Sequence, residues 1–280
     1  MEQLERRREL IETRLATVVE SLESPPLREA VGHATLEGGK RVRPTVTVLA
    51  CETAGGRAED AVDFAVGIEL VHAASLVVDD IIDRSSLRRG TTSSWMEYGH
   101  GSAVITSDGL LGEAFALFLA EPEATKAVAE AMVELGVGEA TELAATPSTA
   151  DEYMTLARRK TGSLFRAAAE LGAIAADADA ASVAALGEYA ERVGVAFQNR
   201  DDVLDAIADP DTLGKPTGHD AALDRPSLLQ VTDLTPEAAN DVARAEADGA
   251  IEALGTVDVV DETARDYLLE LAEFVVERER

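Results

Sequence analysis

The sequence predicts an all-α fold: one domain over residues 1–280, a bundle of long helices lying antiparallel. Three observations lead there. The stretches AVDFAVGIELVHAASLVV (61–78), ATKAVAEAMVELGVGEATEL (124–143) and ASVAALGEYAERVGVAFQNRDDVL (181–204) are rich in Ala and Leu, and their apolar residues recur by threes and fours, the spacing of one helix face. No stretch alternates apolar and polar residues between hairpin turns, as a half-buried strand does. The breaks, at LESPPL (22–27), CETAGGRAED (51–60), ATPSTAD (145–151) and ADPDTLGKPTG (208–218), are short enough to join antiparallel neighbours. Neither a low-complexity linker nor a repeat of fixed period divides the chain.

Taken in order, the opening MEQLERRRELIETRL reads as a charged amphipathic helix and not as a signal peptide. GGKRVRP (38–44) follows two glycines, which free the backbone, with Lys40, Arg41 and Arg43. Three cations so placed suit the gripping of a diphosphate by charge-assisted hydrogen bonds. Cys51 is the single cysteine, so no disulfide closes within the chain, which fits a reducing cytoplasm. The next helix, 61–78, is apolar, yet no apolar run in the chain approaches the roughly 18 residues of a membrane span.

Charge limits the partners. With 25 Lys and Arg against 53 Asp and Glu, the net charge is −28. Such a surface repels nucleic acid and anionic membrane, so the basic cluster Arg84, Arg88 and Arg89 belongs to a particular site and not to a general polyanion patch. Concentrated salt relieves the self-repulsion, since the Debye length falls to about 3 Å near 1 M. The composition points to a halophilic source.

The helix at 61–78 runs into SLVVDDIIDRSSLRRG (75–90), which presents Asp79, Asp80 and Asp83 before turning basic. The pattern returns 122 residues later in FQNRDDVLD (197–205) as Asp201, Asp202 and Asp205. Residues four apart share a helix face, so 79 with 83 and 201 with 205 each set two carboxylates side by side. Such pairs repel unless a cation lies between them, and Mg²⁺ suits them because it prefers carboxylate oxygen and shares itself with substrate phosphates. With 22 Asp in the chain, about 0.1 DDxxD patterns arise by chance, so two are unexpected.

GGKRVRP, VHAASLVVDDIIDRSSLRRG (71–90), KTGSLF (160–165), FQNRDDVLD and LGKPTG (213–218), in this order, make the chain resemble the trans-polyprenyl diphosphate synthases over about residues 38–220. The resemblance implies helices around a deep central cavity, a homodimer, and the two aspartate motifs facing each other across its mouth. It implies head-to-tail condensation of isopentenyl diphosphate with an allylic diphosphate (dimethylallyl, geranyl or farnesyl), with Mg²⁺, about three ions once diphosphate is bound. Residue by residue, Asp79, Asp83 and Asp201 correspond to direct metal ligands, and Asp80, Asp202 and Asp205 to further or water-mediated ones. Arg88, Lys160 and Lys215 correspond to grips on the allylic diphosphate, and Lys40, Arg43, His72 and Arg89 to grips on isopentenyl diphosphate. Thr161 and Gln198 match positions near the reacting carbons. Phe197 is equally a substrate contact or a core residue.

The chain departs from the family pattern at Val78, where histidine is common, at Gly138-Glu139, where Gly-Gln is usual, at Ser107-Asp108, where Gly-Asp is usual, and at DAALDRPSLL (220–229), where Arg225 is left as the cation. A class I terpene cyclase shares the first motif, but its second metal site mixes other residue types. A non-catalytic partner subunit is expected to lose an aspartate motif, and a DxDxDG calcium loop is absent. The resemblance also implies that the product's tail grows along the helix ending at Asp79, where one isoprene unit matches about one helical turn, near 5.4 Å. Ala74 and Ser75, the first possible floor, are small; Leu70 and Val71 come next, Gly67 offers a further opening, and residues 132–143 on a facing helix close the tunnel from the other side. This predicts geranylgeranyl (C20) or longer products in place of farnesyl (C15).

Overall fold

The computed structural model describes residues 2–144, 147–207, 226–232 and 234–277. In chain order these form α1 (Glu2–Ser21), α2 (Pro25–Leu36), α3 (Val42–Thr53), α4 (Ala58–Ile82), strands β1 (Leu87–Arg88) and β2 (Thr91–Thr92), α5 (Ser94–Tyr98), α6 (His100–Phe118), α7 (Pro122–Ala144) and α8 (Ala150–Ala157). A π-helical turn (Arg158–Gly162) leads into α9 (Ser163–Ala175), followed by α10 (Ala180–Ile207), α11 (Leu228–Val231), α12 (Pro236–Leu254) and α13 (Glu262–Glu277). The architecture is all-α, as the helical spacing predicts.

Helix starts follow local chemistry. Two prolines open α2, where a missing N–H costs nothing. Thr149 and Thr235 accept the N–H groups of Glu152 and Ala238 at the starts of α8 and α12. The break at 51–60 is shorter than the sequence suggests. Cys51 lies within α3, and α4 begins already at Ala58, where the Asp60 carboxylate accepts both the backbone N–H and the guanidinium of Arg57.

Two long helices carry the aspartates. α4 packs on α3, α6 and α9, while α10 packs on α12, α9 and the π-turn, so α9 touches both. Close approach needs small residues: a Cβ on Gly172 would lie 2.1 Å from the carbonyl of Thr47, so α9 rests directly on the backbone of α3. Leu49, Ile68, Leu70, Leu164, Leu171 and Leu186 fill the core between these helices. By length and composition α4 is apolar enough to cross a membrane, which the sequence expectation missed because Glu69 and His72 interrupt the apolar run. Most of that window is buried inside the protein.

Among the described residues the only strands form a hairpin, not predicted from alternation, that pairs Leu87 with Thr92 and Arg88 with Thr91. Its turn, Arg89-Gly90, has φ of 53° and 85°, the double positive φ that a tight hairpin requires. Strands this short leave no periodicity to read.

Candidate active site

The first motif occupies the end of α4. Asp83 is the residue after the last helical one, and its N–H closes onto the carbonyl of Asp79 at 2.8 Å. Asp80 lies on another face: it is 2% exposed, and its Oδ1 accepts Nε and Nη2 of Arg88 at 2.9 and 2.5 Å. The hairpin sets this pairing by carrying Arg88 back toward the helix end, while Trp95 and Ser93 tie the hairpin down through the carbonyl of Ser85.

Arg89, the next residue, turns toward the glycine loop. Its Nη1 donates to the carbonyl of Gly38 at 3.3 Å, and a Cβ on Gly39, at φ 107°, would lie 2.7 Å from the same nitrogen. The second glycine is required by that backbone conformation, which L side chains rarely adopt, and the mobile tip of Arg89 occupies the space above it. Arg41 has a different role from its neighbours. It takes the left-handed conformation at φ 51°, is 2% exposed, and spends its guanidinium on Glu12, Glu69 and the carbonyl of Thr35. Of the three cations in GGKRVRP, Arg41 is thus an internal pin, whereas Lys40 is exposed.

Arg43 reaches His72, with Nη1 3.1 Å from Nε2. Its guanidinium carbon stands 4.5 Å over the centre of the Phe165 ring, and Phe165 lies 6.4 Å from Phe197, linking this corner to α9 and α10. Burial lowers the Arg43 pKa to about 10 against the pull of Glu69, and Arg43 Nε is buried with no hydrogen-bond partner. Burial, then Arg43, Arg89, Arg88 and Arg41, hold His72 well below the usual histidine range. A neutral imidazole ringed by guanidiniums, with a buried donor unspent, is a place for an anion.

The second half centres on the π-turn, an irregularity common at functional sites. It carries Lys160 and Thr161. Lys160 Nζ is held by Glu142 and lies 3.1 Å from Glu139, and a Cβ on Gly138 would come 2.9 Å from Lys160 Cγ, so this glycine lets α7 approach the turn. Thr161 Oγ1 donates to Gln198 Oε1 at 3.0 Å, and Gln198 Nε2 donates to Asp202 Oδ1 at 3.1 Å. Asp202 is 3% exposed, and its Oδ2 accepts the hydroxyl of Tyr153 and the N–H of Leu228, the latter at 2.7 Å. Tyr153 carries no motif that sequence reasoning would have singled out. Lys215 and Arg225 lie outside the described residues.

In each aspartate motif, then, the second carboxylate is buried and engaged by named donors, while Asp79, Asp83, Asp201 and Asp205 are half-buried. Among the described residues no three His, Cys, Asp or Glu side chains are grouped to hold a metal by themselves. Paired, partly open carboxylates without a complete cage suit a hard ion that takes its remaining ligands from water and phosphate, which is the habit of Mg²⁺.

One expectation about the tunnel wall changes. Gly67 is not an opening: a Cβ there would lie 2.4 Å from Phe118 Cζ, so the ring of Phe118 already fills the space. Phe118 belongs to α6, one of the helices packed against α4, and the 132–143 stretch lies in α7, which packs on α9 and the π-turn. Ala74, Leu70 and Val71 are buried, and Ser75 is half-buried.

A family model described as polyprenyl synthetase matches residues 24–259. A short chain isoprenyl diphosphate synthase of Methanothermobacter thermautotrophicus is 30% identical, covering 100% of this chain and 98% of that protein. The crystal structure of geranylgeranyl pyrophosphate synthetase from Pyrococcus horikoshii superposes with a TM-score of 0.90 at 32% identity, over 99% of this chain and 98% of that one. A polyprenyl synthase from Caulobacter crescentus, complexed with calcium and isoprenyl diphosphate, gives a TM-score of 0.88 at 29% identity, over 100% and 98%. The chain belongs to the polyprenyl synthetase family and is a prenyl diphosphate synthase, a transferase of prenyl groups.

Proposed function

We propose that this enzyme condenses isopentenyl diphosphate head-to-tail with an allylic diphosphate, in a Mg²⁺-dependent reaction, to give geranylgeranyl diphosphate or longer products. The C1–O bond of the allylic substrate breaks and its diphosphate leaves with the bonding pair. The terminal alkene carbon of isopentenyl diphosphate attacks C1, and a proton lost from its C2 restores the double bond. Mg²⁺ held by Asp79, Asp83, Asp201 and Asp205 would supply Lewis-acid stabilisation of the departing diphosphate.

The protein's own groups bind and orient. Lys40, Arg43, His72 and Arg89 hold isopentenyl diphosphate, while Arg88, Lys160 and Lys215 hold the allylic diphosphate. Thr161 and Gln198 face the carbon that becomes positive, and the apolar wall upstream of Asp79 keeps water away. The observation that carries the reading is that residues from separate motifs meet: Arg43 on His72 at 3.1 Å, Arg88 on Asp80, and Thr161 on Gln198 at 3.0 Å. The unspent Nε of Arg43 in the first pair is a donor waiting for an anion.

The same reading makes the protein one cytoplasmic domain working as a homodimer. What supports the dimer is exposed apolar side chains on α6, on α7 and on the link between them, where Ile105, Val133 and Leu119 are 61%, 64% and 77% exposed. Light scattering on the purified chain in high salt tests it, a monomer mass being the contrary result. For the reaction, the test is incubation with isopentenyl diphosphate, each allylic primer and Mg²⁺ in concentrated salt. Longer diphosphates that vanish on chelation support the reading, and cyclic hydrocarbons or no turnover oppose it.

A further inference from the structure

The chain of hydrogen bonds behind Thr161 has a direction, and one buried group sets it. Leu228 N–H can only donate, and it donates to Asp202 Oδ2 at 2.7 Å beside the hydroxyl of Tyr153. A carboxylate only accepts, so Gln198 must turn its NH₂ toward Asp202 Oδ1, at 3.1 Å, and its carbonyl toward Thr161. Thr161 then gives its proton to that carbonyl, at 3.0 Å, and the lone pairs of Oγ1 remain for the site. Asp202 and Tyr153 are 3% and 2% exposed, so water does not compete to scramble the order.

We propose that Asp202, seated by Tyr153 and Leu228, is a positioning residue that fixes the hydrogen-bond polarity of Gln198 and Thr161, so that Thr161 presents oxygen and not a proton to the developing allylic cation. The inference rests on the reaction proposed above and reassigns Asp202 from metal ligand to the anchor of this chain. An oriented oxygen dipole stabilises positive charge in a water-poor site, and the reversed dipole opposes it.

Asp202→Asn tests the direction. The N–H of Leu228 still demands an acceptor, so the Asn carbonyl faces it and the Asn NH₂ faces Gln198. Gln198 must flip, and Thr161 then points its proton into the site. The full-length enzyme with Mg²⁺ is assayed as wild type, Asp202→Asn, Tyr153→Phe and Thr161→Val, and as Asp202→Asn and Tyr153→Phe each combined with Thr161→Val. Turnover by the wild type establishes the reaction itself, so its absence refutes that reading separately. The expected result is a fall in kcat of about 10- to 100-fold for Asp202→Asn. Both substrate KM values and the Mg²⁺ concentration at half-maximal rate should stay within about twofold, and the loss should shrink to about twofold or less in the Thr161→Val background. Tyr153→Phe, which keeps the ring, should lower kcat less and likewise lose its effect beside Thr161→Val. A Mg²⁺ requirement raised about tenfold in Asp202→Asn, or losses that simply add to that of Thr161→Val, overturns the proposal. If Asp202→Asn does not fold, the Tyr153→Phe pair decides by the same criteria.

Discussion

Glu139 stands against Lys160, its Oε1 3.1 Å from the ammonium that Glu142, one turn further along α7, also holds. Burial pulls the lysine pKa down, but the two carboxylates outweigh it and leave the pKa raised. A cation proposed to grip a diphosphate is therefore already engaged, and Glu139 adds negative charge where an anion is to bind. Glu139→Gln should leave Glu142 in place and lower the allylic KM about two- to fivefold, the equivalent of the ~0.5–1 kcal/mol of a partly exposed pair. Steady-state kinetics with the primer varied checks this; an unchanged or higher KM means that Glu139 orients Lys160 usefully.

Asp79→Ala and Asp201→Ala should each lower kcat/KM by several orders of magnitude, roughly 10³-fold or more, with the helical circular dichroism unchanged. Both carboxylates are half-buried at the site, so their loss leaves the core intact. Near-wild-type rates in either variant would remove the metal assignment.

Arg89→Ala and His72→Ala should raise the KM for isopentenyl diphosphate more than that for the primer, by about tenfold for the loss of a charge-assisted contact. The opposite order would exchange the two pockets. His72 also gives a pH signature. Its pKa is lowered in the folded state, so below the ordinary value of 6.5 the unfolded chain binds a proton that the native state refuses. Stability of the wild type relative to His72→Gln should therefore fall as pH drops from 7 to 5, at up to about 1.4 kcal/mol per pH unit. Denaturant titrations at several pH values measure it, and parallel curves for the two proteins contradict it.

Product length should respond to both walls beside α4. Ala74→Phe fills the first floor and should shift products toward C15. Phe118→Ala vacates the space over Gly67 and should lengthen them. Phe118 also touches Phe64 and Phe115, with ring centres 6.0 and 6.3 Å away, so its truncation should cost about 3–5 kcal/mol of stability and is best read in high salt. Mass analysis of extracted products decides; unchanged products in both variants place the floor elsewhere.

What the sequence makes legible is what identity and spacing carry. Asp79 and Asp83 share a face because four residues make about a turn, and the long apolar stretches announce α4 and α10. What it hides depends on which helices become neighbours. Arg41 and Arg43 look equivalent in GGKRVRP, yet one is buried on Glu12 and Glu69 and the other stands over Phe165. Gly67 reads as an opening until α6 brings Phe118 onto it. Tyr153 is an ordinary apolar-face residue of α8 until α10 lays Asp202 against its hydroxyl.

The central claim is that the two aspartate motifs serve chain elongation. Its most direct measurement is the stoichiometry of the wild-type reaction: isopentenyl diphosphate consumed, inorganic diphosphate released, and the masses of the organic products, with Mg²⁺ in concentrated salt. The account predicts one diphosphate released for each isopentenyl unit consumed, and allylic diphosphates longer by whole five-carbon steps up to C20 or beyond. Diphosphate released from the primer alone, with isopentenyl diphosphate untouched and a cyclic hydrocarbon formed, would contradict it.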